Sequence, residues 1–312
     1  MKVLVAGATG ALGRELVPQL VAAGHEVTGM TRSPRAIDGL RALGAGAVVA
    51  DALDAAAVRE AVAKTRPEVV VHQLTALKGD IDPKKFDESF AMTNRLRTEG
   101  TDNLLAAAKA AGVRRMVAQS FAGWNLARTG GPVKTEDDSL DPEPAKSQVE
   151  SMKAIRYVES VVTGDAEIEG LALRYAGFYG PGSAVGSGGS IAARIKARKV
   201  PIVGDGGGVW SFIHFADAAS ATVRAVEHGD PGIYQIADDE PAPVSVWLPE
   251  LAKILGAKPP RRVPAWLARL VAGDAAVRMF TEARGADNSK AKHELGWTLR
   301  YPSWRQGFRE GL

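Results

Sequence analysis

The chain of 312 residues contains no cysteine. Disulfide bonds, thiolate nucleophiles and cysteine-based metal sites are therefore excluded. Histidine is scarce, and its five occurrences are scattered without the spacing typical of metal ligands: His25, His72, His214, His228 and His293. The sequence accordingly predicts no metal centre.

Long apolar runs and runs of one charge are also missing. No stretch approaches the roughly 18 apolar residues that a membrane span needs, and the opening MKVLVAGATG meets glycines too early for a signal peptide. Lys and Arg number 39 against 36 Asp and Glu, with no basic run typical of a nucleic-acid tail. We expect a cytoplasmic protein that binds neither membrane nor nucleic acid and acts on a small molecule.

Short β-branched runs alternate with amphipathic stretches over the first two thirds of the chain, which indicates a doubly wound parallel sheet of Rossmann type. Strands are predicted at Lys2–Ala6, Glu26–Met30, Ala47–Ala50, Glu68–His72, Arg115–Gln119 and Ile168–Arg174. Helices are predicted at Ala11–Ala23, Arg35–Leu43, Asp54–Lys64, Lys84–Ala111 and Ser147–Val162. The polar segment between Gln119 and Ser147 is long enough to be a functional loop.

A glycine-rich turn follows the first strand directly and precedes the first helix. Gly7, Gly10 and Gly13 fall in the run AGATGALG, together with Thr9, Ala11 and Leu12. The glycines permit a tight turn, backbone approach to a pyrophosphate and close contact between helix and strand. We predict that this turn binds a dinucleotide.

The end of the second strand indicates which dinucleotide. NAD-binding units usually place an acid there for the ribose 2′-hydroxyl, whereas this sequence has Thr31, Arg32 and Ser33. A guanidinium suits a 2′-phosphate, so NADP(H) is expected and NAD(H) is less expected. Asp51, followed by Ala52, either meets the adenine amino group or forms a turn or helix cap.

Beyond the predicted sixth strand the alternation loosens, which indicates a second, smaller α/β part. We predict a dinucleotide-binding domain over residues 1–178, to which residues 214–236 return. A substrate-binding part would comprise residues 179–213 and 237–312.

The chain resembles the extended short-chain dehydrogenase/reductase group, also called the NAD-dependent epimerase/dehydratase family. The resemblance covers nearly the whole length and rests on AGATGALG, TDNLLAAAKAAGVRRMV, TEDDSLDPEP, LRYAGFYGPG, GDGGGVWSFIHFADAA, IYQIADDE and KAKHELGW. It implies that Gln73, Leu74 and Thr75 line the cofactor and that Tyr175 to Tyr179 pass the nicotinamide. It also implies a homodimer and a supporting backbone contact by Asn94, which is otherwise a buried polar residue. For His214 and Asp217 we favour a structural role, with Asp217 as a helix cap.

The usual catalytic set of the family is missing at its expected positions. That set is a serine or threonine after the fifth strand and a Tyr-x-x-x-Lys pair on the next helix, yet no tyrosine here precedes a lysine by four residues. The corresponding positions hold Phe121, Ser151 and Ile155. The remaining candidates for an unusual catalytic role are Ser120, Tyr175 and Tyr179.

The substrate motif departs from the family too. Sugar-nucleotide members carry an arginine that binds the diphosphate, and Trp210 stands at that position. An indole replaces an anion clamp with an apolar face. We therefore expect an uncharged organic substrate in a pocket that includes Phe121, Trp124 and Trp210, unless Trp210 packs in the core and Arg284 binds the phosphate.

Three functions remain open on the sequence alone. The favoured one is an NADP(H)-dependent oxidoreductase that works without Tyr-x-x-x-Lys. The others are a non-catalytic NADP(H)-binding sensor or scaffold, and a sugar-nucleotide epimerase or dehydratase.

Overall fold

The computed structural model describes residues 1–77 and 81–312. Its strands, in chain order, are β1 (Lys2–Ala6), β2 (Glu26–Thr31), β3 (Gly46–Val49), β4 (Val69–His72), β5 (Arg115–Phe121), β6 (Val133–Lys134), β7 (Glu169–Tyr175), β8 (Gly177–Tyr179), β9 (Ile202–Val203), β10 (Val209–Trp210), β11 (Phe212–His214), β12 (Gly232–Ile236), β13 (Ala242–Pro243), β14 (Arg262–Val263) and β15 (Gly285–Ala286).

The helices alternate with the longer strands. They are α1 (Ala11–Ala22), α2 (Ile37–Ala42), α3 (Ala55–Thr65), α4 (Phe86–Arg97), α5 (Glu99–Ala110), α6 (Val149–Thr163), α7 (Ser190–Lys196), α8 (Phe215–Glu227), α9 (Val244–Ile254), α10 (Ala265–Thr281), α11 (Ser289–Glu294) and α12 (Trp304–Glu310). Short 3-10 turns occupy Pro34–Ala36, Pro83–Lys85 and Lys146–Gln148. Across the described residues, none of these helices combines the length and apolar character needed to cross a membrane.

Seven parallel strands form one sheet in the order β12-β7-β5-β4-β1-β2-β3. The strand order reverses between β1 and β4, and in doubly wound sheets ligands bind at the carboxyl ends of the strands beside such a reversal. The predicted Rossmann-type α/β fold is confirmed.

Helices cover both faces of the sheet, which explains why strand β4 is apolar on both sides. Leu16, Val17 and Leu20 of α1 pack with α8 on one face, while Val58 and Val62 of α3 pack on the other with α5 and α6. A separate apolar cluster, which contains Phe212, Trp247, Trp304 and Phe308 among others, fills the C-terminal part.

The prediction of one continuous helix over Lys84–Ala111 is wrong, because the helix is interrupted at Thr98. This residue has φ −100° and ψ −87° and separates α4 from α5. Both its amide and its hydroxyl donate to the carbonyl of Asn94, each at 3.0 Å. A threonine hydroxyl that returns to the preceding turn bends a helix.

The segment after β5 is anchored at several points along its length. Strand β6 pairs in parallel with β15, and Leu126 bridges to Leu140. The guanidinium of Arg128 pairs with Asp141 and with Glu282 at the end of α10. These contacts fix the segment across the carboxyl edge of the sheet, where it borders the site.

Candidate functional site

A cleft opens at the carboxyl ends of β1, β2 and β4, at the reversal of strand order. Most of the predicted cofactor residues line it: Gly7, Thr9, Gly10, Thr31, Arg32, Asp51, Ala52, Gln73, Leu74 and Thr75, with Met30, Ala50 and Leu96. Ala11, Leu12 and Gly13 form the start of α1 behind the turn. The fold thus brings distant parts of the sequence to one cleft.

The glycine turn is shaped so that backbone faces the cleft. Gly7 has φ +96°, and a Cβ there would overlap the carbonyl of Gln73. A Cβ at Gly13 would overlap the carbonyl of Gly7. The residue that precedes α1, Gly10, has no side chain to cap the helix, and the first turn of α1 contains no acid. The N–H groups and dipole of this helix therefore suit the pyrophosphate of a dinucleotide.

Residues at the end of β2 occupy one end of the cleft. Thr31 is buried, and its Oγ1 accepts from the amide of Ser33 at 3.2 Å. Arg32 is exposed, and no carboxylate pairs with it in residues 1–77 and 81–312. Asp51 lines the same end, while its Oδ1 accepts from the amide of Leu53 at 3.1 Å. The position of Asp51 is therefore compatible with both predictions, since the residue stabilises a local turn and also lines the cleft.

His72 stabilises the backbone after β4, which forms the other wall of the cleft. Its Nδ1 accepts from the amide of Leu74 at 3.2 Å, and its Nε2 lies 3.2 Å from the carbonyl of Leu96 and 3.1 Å from Thr101 Oγ1. Burial lowers the pKa of His72 to about 4. The ring is therefore neutral at physiological pH and fixes the backbone that leads to Thr75.

The three candidate catalytic hydroxyls lie outside both the cleft and the pocket described below. Ser120 Oγ donates to buried Glu159 at 2.6 Å. The hydroxyl of Tyr175 receives the Gln73 amide at 2.9 Å and lies 2.6 Å from Thr222 Oγ1. Tyr179 packs edge-on to Phe308 in the C-terminal cluster. Burial raises the pKa of both tyrosines, so these placements argue against the catalytic roles predicted.

The position of the family's tyrosine is also closed. Ser151 is fully buried, and both its amide and its hydroxyl donate to Asp87 Oδ1, at 2.8 and 2.6 Å. Asn94 Nδ2 donates to Ser151 Oγ at 3.1 Å. Asn94 thus binds a side chain rather than making the expected backbone contact. Ile155 is likewise fully buried.

His214, and not Asp217 as predicted, caps helix α8. His214 Nδ1 accepts from the amide of Ala216 at 3.1 Å and caps α8, and its Nε2 lies 3.1 Å from the carbonyl of Gly311. Asp217 accepts instead from the amides of Arg300 and Tyr301, at 2.6 and 2.9 Å. Asp217 therefore ties the C-terminal segment to α8, and both residues are structural.

An apolar pocket, the aromatic pocket, lies beside the cleft and contains the three residues predicted for the substrate. Phe121, Trp124 and Trp210 line it together with Ala122, Gly123, Gly177, Val209, Ser211, Met279 and Ala283. Trp210 Nε1 donates to the carbonyl of Met279 at 2.7 Å, and its ring packs on Trp247 at 4.9 Å. The indole is therefore held in one orientation. Met279 and Ala283 belong to no sequence motif, and only the tertiary fold places them at the pocket.

Tyr175 is buried between the aromatic pocket and the cleft and lines neither of them. Phe121 of β5 lies opposite Tyr175 of β7, and the same tyrosine accepts from Gln73 on the cleft side. Arg284 donates to the main-chain carbonyls of Arg128 and Glu282, at 2.6 and 3.0 Å, and does not line the pocket. A diphosphate clamp in place of Trp210 is therefore not found among these lining residues.

Fold and cleft together define a Rossmann-type enzyme that uses a nicotinamide dinucleotide. The family described as NAD dependent epimerase/dehydratase matches residues 3–237. The chain belongs to this family and is an enzyme of the extended short-chain dehydrogenase/reductase type. The alternative of a non-catalytic sensor or scaffold is not supported.

Individual relatives include reductases and epimerases. The chain is 47% identical over 309 residues to 3-diazoavenalumate denitrifying reductase from Streptomyces sp, covering 98% of this chain and 99% of that protein. It is 30% identical over 267 residues to 2-alkyl-3-oxoalkanoate reductase from Stenotrophomonas maltophilia, covering 82% and 76%. The solved UDP-glucose 4-epimerase of Thermotoga maritima superimposes with a TM-score of 0.76 at 22% identity, covering 99% and 96%, a likeness of fold.

Proposed function

We propose that the protein is an NADPH-dependent reductase that replaces the diazo group of an aromatic compound with hydrogen and releases N2. The observation that carries this proposal is an aromatic pocket beside the cofactor cleft whose described lining contains no acidic side chain. Of its lining residues only Ser211 bears a hydroxyl, which accepts from the Ala286 amide at 2.8 Å and donates its own hydrogen to the Ala286 carbonyl at 3.4 Å. The relative that is 47% identical is named for a diazo substrate and for loss of nitrogen.

The chemistry of a diazonium group matches a pocket without an acid. Reduction of a ketone leaves an alkoxide that must take up a proton, which is the task of the family's tyrosine. A bound NADPH supplies a hydride, and for an arenediazonium the balance is ArN2+ + NADPH → ArH + N2 + NADP+. The hydride pair becomes the C–H bond, the C–N pair leaves with N2, and no proton is needed.

The residues of the chain have defined tasks in this proposal. Arg32 and Thr31 would hold the 2′-phosphate, and the free N-terminus of α1 would hold the pyrophosphate. Phe121, Trp124 and Trp210 would enclose the aryl ring. Their π faces would attract a cationic diazonium, which differs from the uncharged substrate expected from the sequence. Their apolar surface would exclude the water that otherwise hydrolyses it.

The proposal is tested with a substrate panel. NADPH oxidation and arene formation are measured with 4-methoxybenzenediazonium, with a 3-oxoester and with UDP-glucose, against enzyme-free and heat-inactivated controls. We expect turnover of the diazonium only. Trp210→Ala should lower kcat/KM by about fivefold or more, since one buried aromatic contact contributes about 1 kcal/mol or more. Trp266→Ala, at a position 63% exposed on α10, is the matched control and should not change it.

Two results would refute the proposal. One is reduction of the 3-oxoester in preference to the diazonium, which would place the protein with the ketone reductases. The other is stabilisation by UDP-glucose without diazonium turnover, which would return the protein to the sugar-nucleotide enzymes.

A further inference from the structure

Helix α10 carries large apolar side chains on its outer side. Gly273, with φ +84° and ψ 172°, divides the helix into two halves. In the first half, Trp266, Leu270 and Val271 are 63%, 68% and 71% exposed, the highest values for any large apolar side chain in the described residues. Their spacing of four and five residues places them on one side of the helix, the apolar stripe. A surface helix normally turns such a stripe toward the core.

The inner side of this half-helix is small and is held on the molecule. Ala268 is buried in a cluster with Val203 and Val277. Lys84 Nζ donates to the carbonyl of Leu270 at 2.8 Å. The helix thus packs through an alanine and presents its larger residues to the outside from a fixed backbone. Contiguous exposed apolar side chains of this kind mark an interaction surface.

A cationic surface lies at the base of the same half-helix. Residues 190–204 contain four Lys and Arg, residues 251–273 contain five, and neither stretch contains an Asp or Glu. The two stretches meet because β14 pairs with β9 and because Arg198 Nε donates to the carbonyl of Pro259 at 3.1 Å. Helix α10 begins directly after β14, so the apolar stripe and the cations belong to one surface.

Most of these charges are not neutralised within the chain. Of the nine cations only Arg269 forms an ion pair among residues 1–77 and 81–312, with Asp274 at 3.0 Å. The acids that border the two stretches are Asp205, Glu250 and Asp274, of which the last two pair with arginines. The surface therefore favours an anionic partner.

We propose that this surface binds a membrane that contains anionic lipids. Trp266, Leu270 and Val271 would lie among the headgroups, and the cations around the base of α10 would contact the lipid phosphates. A helix with Trp and Leu on one side and Lys and Arg beside them is typical of binding in the plane of the membrane interface. A second copy of the chain fits less well, because a symmetric dimer would set the same cationic surface against itself.

This proposal is compatible with the lack of a long apolar run in the sequence. About 18 apolar residues are needed to span a bilayer, whereas a helix that lies in the interface needs only one apolar face. The expectation of no membrane contact was drawn from the first requirement alone. The proposal is independent of the proposed diazo reduction.

The test is flotation of the full-length protein with vesicles. One set is phosphatidylcholine alone, and the other is phosphatidylcholine and phosphatidylglycerol in equal parts. We expect binding to the anionic vesicles to be at least about tenfold tighter, because several cations contribute. Binding should weaken as salt is added, because salt screens exposed charges.

Two double variants separate the apolar and the cationic contributions. Leu270→Ala with Val271→Ala should weaken binding to anionic vesicles at least about tenfold, because the inserted apolar area is lost. Arg261→Gln with Arg262→Gln should weaken it by a similar factor and remove part of the salt dependence. All four side chains are exposed, so the melting temperature should not change.

Matched controls come from other exposed positions. Met92→Ala removes an apolar side chain that is 40% exposed on α4. Arg59→Gln with Lys64→Gln removes two exposed cations from α3. Neither control should alter vesicle binding. The turnover assay contains no lipid, so Trp266→Ala retains its role as a control there.

Three results would overturn the proposal. The first is failure to bind either kind of vesicle. The second is binding to anionic vesicles that the Leu270 and Val271 variant does not weaken, which would show attraction by charge alone. The third is binding to polyglutamate with no binding to vesicles, which would assign this surface to an acidic protein.

Discussion

At the scale of single residues, the proposed choice of NADPH depends on Arg32. Its side chain is exposed at the end of β2 and lines the cleft. We expect NADPH to bind at least about tenfold more tightly than NADH, because one charge-assisted phosphate contact contributes about 1.4 kcal/mol or more. Arg32→Ala should abolish the preference by weakening NADPH, as followed by nicotinamide fluorescence.

The neighbouring arginine provides the control for this experiment. Arg35 is exposed but does not line the cleft, so Arg35→Ala should retain the preference for NADPH. Equal binding of NADH and NADPH to the unaltered protein would show that Arg32 does not select between the two dinucleotides.

Sequence and structure agree best at residues whose role follows from a motif. Phe121, Trp124 and Trp210 could be predicted for one pocket because their positions relative to the strands are fixed by the family pattern. Met279 and Ala283 could not, since neither belongs to a motif and tertiary folding alone brings them to the aromatic pocket. A hydroxyl in the sequence likewise carries no information on burial, and the structure encloses Ser120 and both candidate tyrosines.

At the scale of elements, the junction of β1 and α1 depends on close backbone contact. A Cβ at Gly13 would overlap the carbonyl of Gly7 and the backbone of Ala8. Gly13→Ala should therefore displace the turn, weaken NADPH binding at least about tenfold and destabilise the fold by about 1–3 kcal/mol, as overpacking does. Both effects are measured by fluorescence titration and by denaturant unfolding.

A second helical glycine separates steric overlap from helix propensity. Gly39 lies in α2, and a Cβ there meets nothing within 4 Å. Gly39→Ala should leave cofactor binding unchanged and stabilise α2 slightly, since alanine is the better helix former. If Gly13→Ala bound NADPH as tightly as Gly39→Ala does, close contact at this turn would not be required.

Element types could be predicted from periodicity, but element ends and junctions could not. The helical spacing of apolar residues continues from α4 through Thr98 into α5. The hydrogen bond from the Thr98 hydroxyl that bends the chain does not alter this spacing, so the bend could not be predicted from it. The anchoring of the segment after β5 depends on pairing between β6 and β15, whose first residues lie 152 positions apart. Long-range pairing of two-residue strands has no local sequence pattern.

At the scale of the whole molecule, alternation of strand and helix was sufficient to predict the parallel sheet and its cleft. Strand β12 joins the edge of that sheet beside β7, although it follows a long excursion through the C-terminal part. The proposed division into a sheet domain and a substrate-binding part, and the homodimer implied by the family, stay predictions. A light-scattering measurement of mass would test the dimer.

The central claim is that hydride passes to the carbon that carried the diazo group. The most direct measurement runs two parallel reactions of an arenediazonium with NADPH deuterated on one or the other face of C4, followed by mass spectrometry and deuterium NMR of the arene. We predict one deuterium at that ring carbon from one of the two labelled cofactors, none from the other, and none when the label is in D2O instead. An arene left unlabelled by both cofactors, a label taken from solvent, or a phenol as the product would contradict this prediction.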